Sequence, residues 1–170
     1  MSDGTAYELA QLNIGRLLAP TDHPDTKGFM DALDPINELA DAHPGFRWRL
    51  QTEDGNATAL RPYEDDLMIV NMSTWASLEA LADFVYGEQH RAIMVQRRKW
   101  FERMAEAFTV LWWVPAGHRP PVAEAKERLE LLRRTGPTPE AFTFRKPFPA
   151  PDADAGTPVD VDDLWGCPTG

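Results

Sequence analysis

Between Glu88 and Met104, side chains recur in steps of three and four: His90, Ile93 or Met94, Arg97, Trp100 or Phe101, and Met104. That spacing predicts one side of a helix. Ile93, Trp100 and Met104 mark the side as buried, so an imidazole and a guanidinium are expected at or near an apolar interior. A buried guanidinium needs acceptors or an anion, because leaving it unpaired is costly. Two readings follow. Either Arg97 fixes an acidic or carbonyl group of a ligand, with His90 as its hydrogen-bond partner or proton carrier. Or Arg97 pairs with a structural acid, and His90 caps a carbonyl near a helix break at Gly87. Asn13 and Asn71 interrupt apolar segments, and a buried carboxamide must bond backbone, water or ligand.

The other candidates sit on strands. Arg47 and Arg49 share a strand face with Gln51. Facing outward, they are solubility residues or an intersubunit salt network; facing inward, Arg49 joins Arg97 in an anion-binding pocket. Trp112 and Trp113 must project to opposite faces of a sheet. One is expected to line a cavity and the other a subunit interface, unless both are plain core. Trp100 completes the candidate binding set. Other chemistries find no support. There is no phosphate-cradling glycine loop and no dinucleotide fingerprint. Four scattered histidines (His23, His43, His90, His118) and the single Cys167 form no zinc motif, so no metal is expected. His118 lies in a Pro-Gly loop, as a ligand contact or a surface histidine. No nucleophile with a partnered base can be read from spacing.

These residues sit in a chain of 170, enough for one domain with a core. It is 43% hydrophobic and 26% charged, with 27 acids against 17 bases and a net charge of -10. That balance argues against nucleic acid or anionic lipid as partner. One cysteine excludes an intramolecular disulfide. With no secretory pattern at the start and no membrane-length apolar run, a cytoplasmic protein is expected.

The elements that position the candidates alternate. Tyr7 to Leu17 reads as a strand. Thr26 to Ala42 reads as a helix kinked or divided at Pro35. Phe46 to Thr52 is a strand with Phe46, Trp48 and Leu50 on one side. Asp54-Gly55 is a turn dipeptide before a further extended stretch at Thr58 to Arg61, and Asn56-Ala57-Thr58 is a chance match to a glycosylation acceptor. Leu67 to Ser73 is a strand, Ser77 to Gly87 and Glu88 to Met104 form a helical region broken at Gly87, and Phe108 to Val114 is a strand. Val122 to Arg134 is a charged helix, and Ala141 to Arg145 a short edge strand. The order β-α-β-β-α-β, with an extra helix, predicts an α+β, ferredoxin-like sheet with both main helices on one face. Residues 1–145 form this domain. The Pro- and Asp-rich stretch 146–170 is expected to be an appended arm or flexible tail, or to dock through Leu164 and Trp165.

The central strands are apolar on both faces. Leu67 and Ile69 oppose Met68, Val70 and Met72; Leu111 and Trp113 oppose Phe108, Val110 and Trp112. Two apolar faces need two covers. The helices supply one. A second copy of the chain is the expected other, giving a homodimer; the alternative is a cap from the extra helix and carboxyl-terminal arm.

Taken together, the βαββαβ order, the segments NMSTWASLEALADF and EQHRAIMVQRRKWF, and the downstream WWVPAGHRP and AFTFRKPFPAP closely resemble an uncharacterised bacterial domain-of-unknown-function family. That family lies within the dimeric α+β barrel superfamily, and the resemblance covers about residues 6–150. Relatives include antibiotic-biosynthesis monooxygenases and haem-degrading monooxygenases. The resemblance implies a homodimeric barrel with a cavity between helices and sheet. It makes Asn13 a candidate for orienting oxygen or substrate. Against the haem-degrading pattern, Phe84 stands where those enzymes carry a functional tryptophan and Met94 near their haem-ligating histidine, with His90 one turn earlier. The expectation is therefore no cofactor, with haem the one alternative.

The resulting expectation is an oxygenase-like enzyme acting on a small organic molecule in specialised metabolism. His90, Arg97 and Asn13 would be catalytic, and Arg49, Asn71, Trp100, Trp112 and Trp113 would line the binding site. The competing expectation is a non-catalytic small-ligand-binding or dimeric scaffold protein.

Overall fold

A computed structural model describes residues 7–52, 55, 58 and 63–151. Four strands, β1 (Tyr7–Arg16), β2 (Phe46–Arg49), β3 (Met68–Trp75) and β4 (Thr109–Pro115), form one antiparallel sheet in the order β2-β3-β1-β4. Between them run α1 (Lys27–Ala42), α2 (Leu78–Val85) and α3 (Glu88–Met94), and α4 (Val122–Thr135) follows. This is the ferredoxin-like arrangement expected from the element order.

Local chemistry sets several boundaries. Ser77 caps α2 by accepting from the Ala80 N–H, and Gly87 separates α2 from α3 as expected. The division expected at Pro35 does not occur: α1 runs as one helix through it. Pro35 lies on the exposed side of the helix, so the carbonyl that loses its partner can turn to water. The long helix expected from Glu88 to Met104 stops at Met94, followed by a tight turn at Arg97–Lys99. The chain then lies down along β1, with the Leu18 N–H donating to Trp100 O and the Glu102 N–H to Arg16 O, both at 2.8 Å. That path buries Trp100 and Phe101 beside Leu17 and Ile69, a gain that a straight helix would forgo.

The two faces of the sheet differ in their cover. Ala10, Leu12 and Ile14 of β1, Met68, Val70 and Met72 of β3, and Val110, Trp112 and Val114 of β4 form the main core with Ala125, Leu129 and Leu132 of α4. Thus α4 supplies, from the same chain, the second cover that the sequence expectation assigned to another copy. The two-sided apolar pattern is accounted for without a dimer. On the opposite face, α2 closes one end through Leu78, Leu81, Trp75 and Leu9, joined by Phe142. Trp100 and Phe101 close the other end. Helix α1 stands over the middle and buries only Ala40 fully, so it roofs a cleft and does not press on the sheet.

Strand β2 is shorter than expected, and a bulge between Phe46 and Trp48 shifts its register. The bulge breaks the expected alternation: Phe46 joins the α2 side while Trp48 packs with the α4 side. The expected edge strand is reduced to bridges, among them Leu111 with Phe142. Beyond residue 145 the chain is still docked, since the Trp113 indole donates to Phe148 O at 2.8 Å. Asp54, Asn56, the stretch 59–61 and the terminal segment with Leu164, Trp165 and Cys167 lie outside the described residues.

Candidate functional site

The period-two pleat of β1 sends Leu9, Gln11, Asn13 and Gly15 to the face opposite α4. Register places Asn13 between Asn71 and Thr109, and Gln11 opposite Ser73. All of these but Leu9 floor a cleft of about 840 Å³, roofed by Phe29, Leu33 and Ile36 of α1 and walled by His90, Arg97 and Trp100. Asn71 is exposed at the middle of a central strand because it looks into this space.

The floor is a polar ladder. Gln11 Nε2 donates to Asn71 Oδ1 at 2.6 Å and to Ser73 Oγ at 2.9 Å. Ser73 Oγ also accepts from the Trp75 indole at 2.8 Å, and Asn13 Nδ2 donates to Thr109 Oγ1 at 2.7 Å. Asn71 Nδ2 and Asn13 Oδ1 are left without a partner among the described residues, as a donor and an acceptor facing the cleft.

Arg97 stands at one end of that ladder. Its Cζ lies 4.7 Å from the Phe101 ring centroid and 4.9 Å from that of Phe108, and Nη2 donates to Ile14 O at 3.3 Å. The close approach depends on Gly15, where a Cβ would fall 2.6 Å from Phe101 Cδ1 and 3.2 Å from Arg97 Nη2. No carboxylate pairs with Arg97 among the described residues, and burial alone pushes its pKa down. Two aromatic faces offset part of the lost hydration, at about 0.5–2 kcal/mol each. The structural-acid alternative for Arg97 therefore finds no partner here.

His90 behaves differently. Its Nδ1 lies 2.9 Å from Val85 O, and since a carbonyl only accepts, Nδ1 carries the proton. This is the carbonyl cap expected near Gly87, and it leaves Nε2 as an acceptor. Burial, partly opposed by the Val85 bond, lowers the imidazole pKa below its ordinary value. The ring packs against Phe84 with centroids 5.1 Å apart. The cleft thus combines a cation and a neutral imidazole with a hydrogen-bonding floor and apolar walls.

Two of the expected lining residues lie elsewhere. Trp112 is fully buried on the α4 side, its indole donating to Glu124 Oε2 at 3.1 Å. Trp113 shares the cleft's face of the sheet but packs beyond its end against Phe142, with centroids 6.4 Å apart. Pleat alternation separates the pair correctly: Trp112 fills core, and Trp113 is half-buried against the cluster that holds Phe142. Arg49 does line the cleft, but Asp41 holds it through two contacts of 2.8 and 3.2 Å, so its charge is already met. Arg47 turns outward toward Glu8, 3.9 Å away. His118 pairs with Glu124 at 3.1 Å, away from the cleft. Sequence reasoning missed Gln11, Ser73, Thr109 and Gly15. The signal was present in β1, where Gln11, Asn13 and Gly15 alternate with Ala10, Leu12 and Ile14.

The charge of the cleft does not match haem, although His90 Nε2 offers iron a ligand. Met94 is partly exposed, and the cations lining the cleft among the described residues are Arg97, the already paired Arg49 and the exposed Arg145. Two propionates would find there one half-buried cation without a carboxylate. Nor do any three metal-ligating side chains cluster among the described residues, and no helix there is long and apolar enough to cross a membrane.

A model of a domain of unknown function, DUF3291, matches residues 8–157. No curated protein matches the chain. Among solved structures, a variant of SnoaB, a cofactor-independent oxygenase from Streptomyces nogalater, is similar at 13% identity and a TM-score of 0.45, covering 67% of this chain and 97% of its own. A protein of unknown function from Nitrosomonas europaea is similar at 14% identity and 0.43, covering 69% and 98%. A conserved protein from Methanosarcina mazei is similar at 9% and 0.44, covering 65% and 94%. Superposition at this level assigns no chemistry to the chain.

Proposed function

Since the chain belongs to the DUF3291 family, whose description names no reaction, we propose its function from the cleft: it binds a small amphipathic organic molecule there and acts on it as an oxygenase-like enzyme. The observation that supports this reading is Arg97, a desolvated cation without a carboxylate at the end of a polar floor. A stable fold gains nothing by leaving such a group unpaired, whereas a binding site does. His90 Nε2 and Arg97 line the same space, so the guanidinium can hold an anionic oxygen of the ligand while the imidazole takes an acidic proton from it, the imidazolium so formed balancing the new charge. Such an electron-rich anion is the species that an oxygenase without a cofactor needs. Asn13 and Asn71 would orient the ligand through their unused acceptor and donor.

The experiment is a panel of small acids, phenols, quinones and haemin, scored by thermal stability and oxygen uptake. A ligand selective for the folded state must raise stability. His90→Ala and Arg97→Ala should remove binding or turnover while leaving the protein folded. A flat response across the panel would overturn the binding reading.

A second reading, a non-catalytic binding protein, is favoured by the Val85 cap, which occupies His90 as a structural histidine would be occupied. Ligand stabilisation without oxygen uptake, unaltered by His90→Ala, would select it. The homodimer implied by the resemblance remains a proposal. With α4 over one face, pairing through the sheet would use the β2 edge or the cleft side, and native mass spectrometry reads its mass directly.

A further inference from the structure

The geometry points to a monocarboxylate on an apolar body as the ligand class of the cleft, held at its carboxylate by Arg97; this rests on the binding reading above. A guanidinium has five N–H donors. Arg97 uses one of them, toward Ile14 O, at the long distance of 3.3 Å. The rings of Phe101 and Phe108 crowd the space around it, 4.7 and 4.9 Å from Cζ, and bring no acceptor. The remaining donors match the two oxygens of a planar carboxylate, the pairing for which the guanidinium fork is built.

Charge fixes the valence. Arg49 is already taken by Asp41. Arg145 stands exposed at the rim, where water screens it. Glu106 also lines the cleft near its mouth, and the chain as a whole carries a net charge of -10. Among the described residues that line the cleft, one half-buried cation is without a carboxylate, and it compensates one negative charge. A dianion such as a phosphate monoester would keep a second charge uncompensated in a desolvated site.

The body of the ligand follows from the walls. Phe29, Ile36, Phe84, Ile93 and Trp100 line the cleft on the helix side, while the floor offers Asn71 Nδ2 and Asn13 Oδ1. A flat apolar group with the carboxylate at one end satisfies both surfaces. At about 840 Å³ the cleft has room for a fused-ring or long-chain acid.

The test uses the full chain and three probes that share one ring system: naphthoate, naphthamide and naphthyl phosphate, each titrated by calorimetry at neutral pH. Naphthoate should bind at least about tenfold more tightly than either of the others, the factor expected of a charge-assisted pair at a desolvated site. Arg97→Met should erase that preference, leaving naphthoate and naphthamide within about threefold, and Arg97→Lys should keep part of it. Equal binding of naphthoate and naphthamide by the wild type would overturn the carboxylate assignment while sparing the cleft. Tighter binding of naphthyl phosphate would overturn the valence argument. Failure of all three, with a neutral naphthoquinone also silent, would overturn the binding reading itself. The wild-type comparison decides the matter even where the Arg97 variants fold poorly.

Discussion

Replacing Gly15 by alanine should cost stability and ligand binding together, through a single contact. The added Cβ would sit 2.6 Å from Phe101 Cδ1 and 2.7 Å from Cε1, about 1 Å inside ordinary van der Waals separation. Phe101 is 8% exposed and packed beside Leu17, Trp100 and Phe29, so the ring can yield only by breaking these contacts and tipping into the cleft it lines. Overpacking of this kind costs about 1–3 kcal/mol. Removing a glycine from the unfolded ensemble returns about 0.4–1 kcal/mol, leaving a net loss centred on about 1.3 kcal/mol. Displacing Phe101 also displaces Arg97, whose bond to Ile14 O is 3.3 Å and close to its limit, so carboxylate affinity should fall along with stability. The assay is a double-mutant cycle by chemical denaturation with Phe101→Ala, which removes the obstructing ring. In that background Gly15→Ala should be neutral or slightly stabilising. Additive effects, or a Gly15→Ala protein within about 0.3 kcal/mol of wild type, would refute the coupling of sheet floor to guanidinium.

Three further outcomes are expected. His90 has a folded pKa below its unfolded value, so the unfolded chain binds the extra proton. Stability is therefore whole above the ordinary imidazole value of 6.5 and lost as pH falls through the lowered folded value. Denaturation of wild type against His90→Gln from about pH 7.5 to 5 should show this as a slope of up to about 1.4 kcal/mol per pH unit, and parallel curves would count against it. Trp112→Phe should cost about 1 kcal/mol, through the lost indole bond to Glu124, and leave ligand affinity unchanged; a weaker ligand would return Trp112 to the site. Leu129→Ala should cost about 2–5 kcal/mol by denaturation, since Leu129 is 0% exposed on the buried stripe of α4 that packs on the sheet, and a cost under about 1 kcal/mol would mean that α4 does not seal that face.

The ferredoxin-like order was legible because β1, β3 and β4 carry runs of apolar residues and several connections a glycine or proline, Pro44-Gly45 between α1 and β2 among them. The polar stripe His90 and Arg97 was legible too, although the helix that suggested it ends at Met94. The stripe outlives the helix because the tight turn at Arg97–Lys99 keeps nearly the same angular step. What misled was charge. Val122, Ala125, Leu129 and Leu132 lie at helical spacing along α4 and pack on the sheet, but the charged residues between them make the segment read as a solvated helix. Periodicity outweighs composition there, because a narrow apolar stripe suffices to cover one sheet face. The bulge in β2 was hidden as well, since alternation in sequence gives no sign of a register shift. So was the neutralisation of Arg49, which depends on where Asp41 falls at the end of α1.

The most direct test of the central claim is the arginine Nε–H region of a nitrogen-proton NMR spectrum during titration with naphthoate. The Arg97 signal is assigned by its disappearance in Arg97→Lys. The account predicts that this resonance shifts and becomes protected from solvent exchange as the cleft fills, while that of Arg49, already held by Asp41, stays in place. An Arg97 signal that remains fixed while backbone amides around the cleft respond would contradict it.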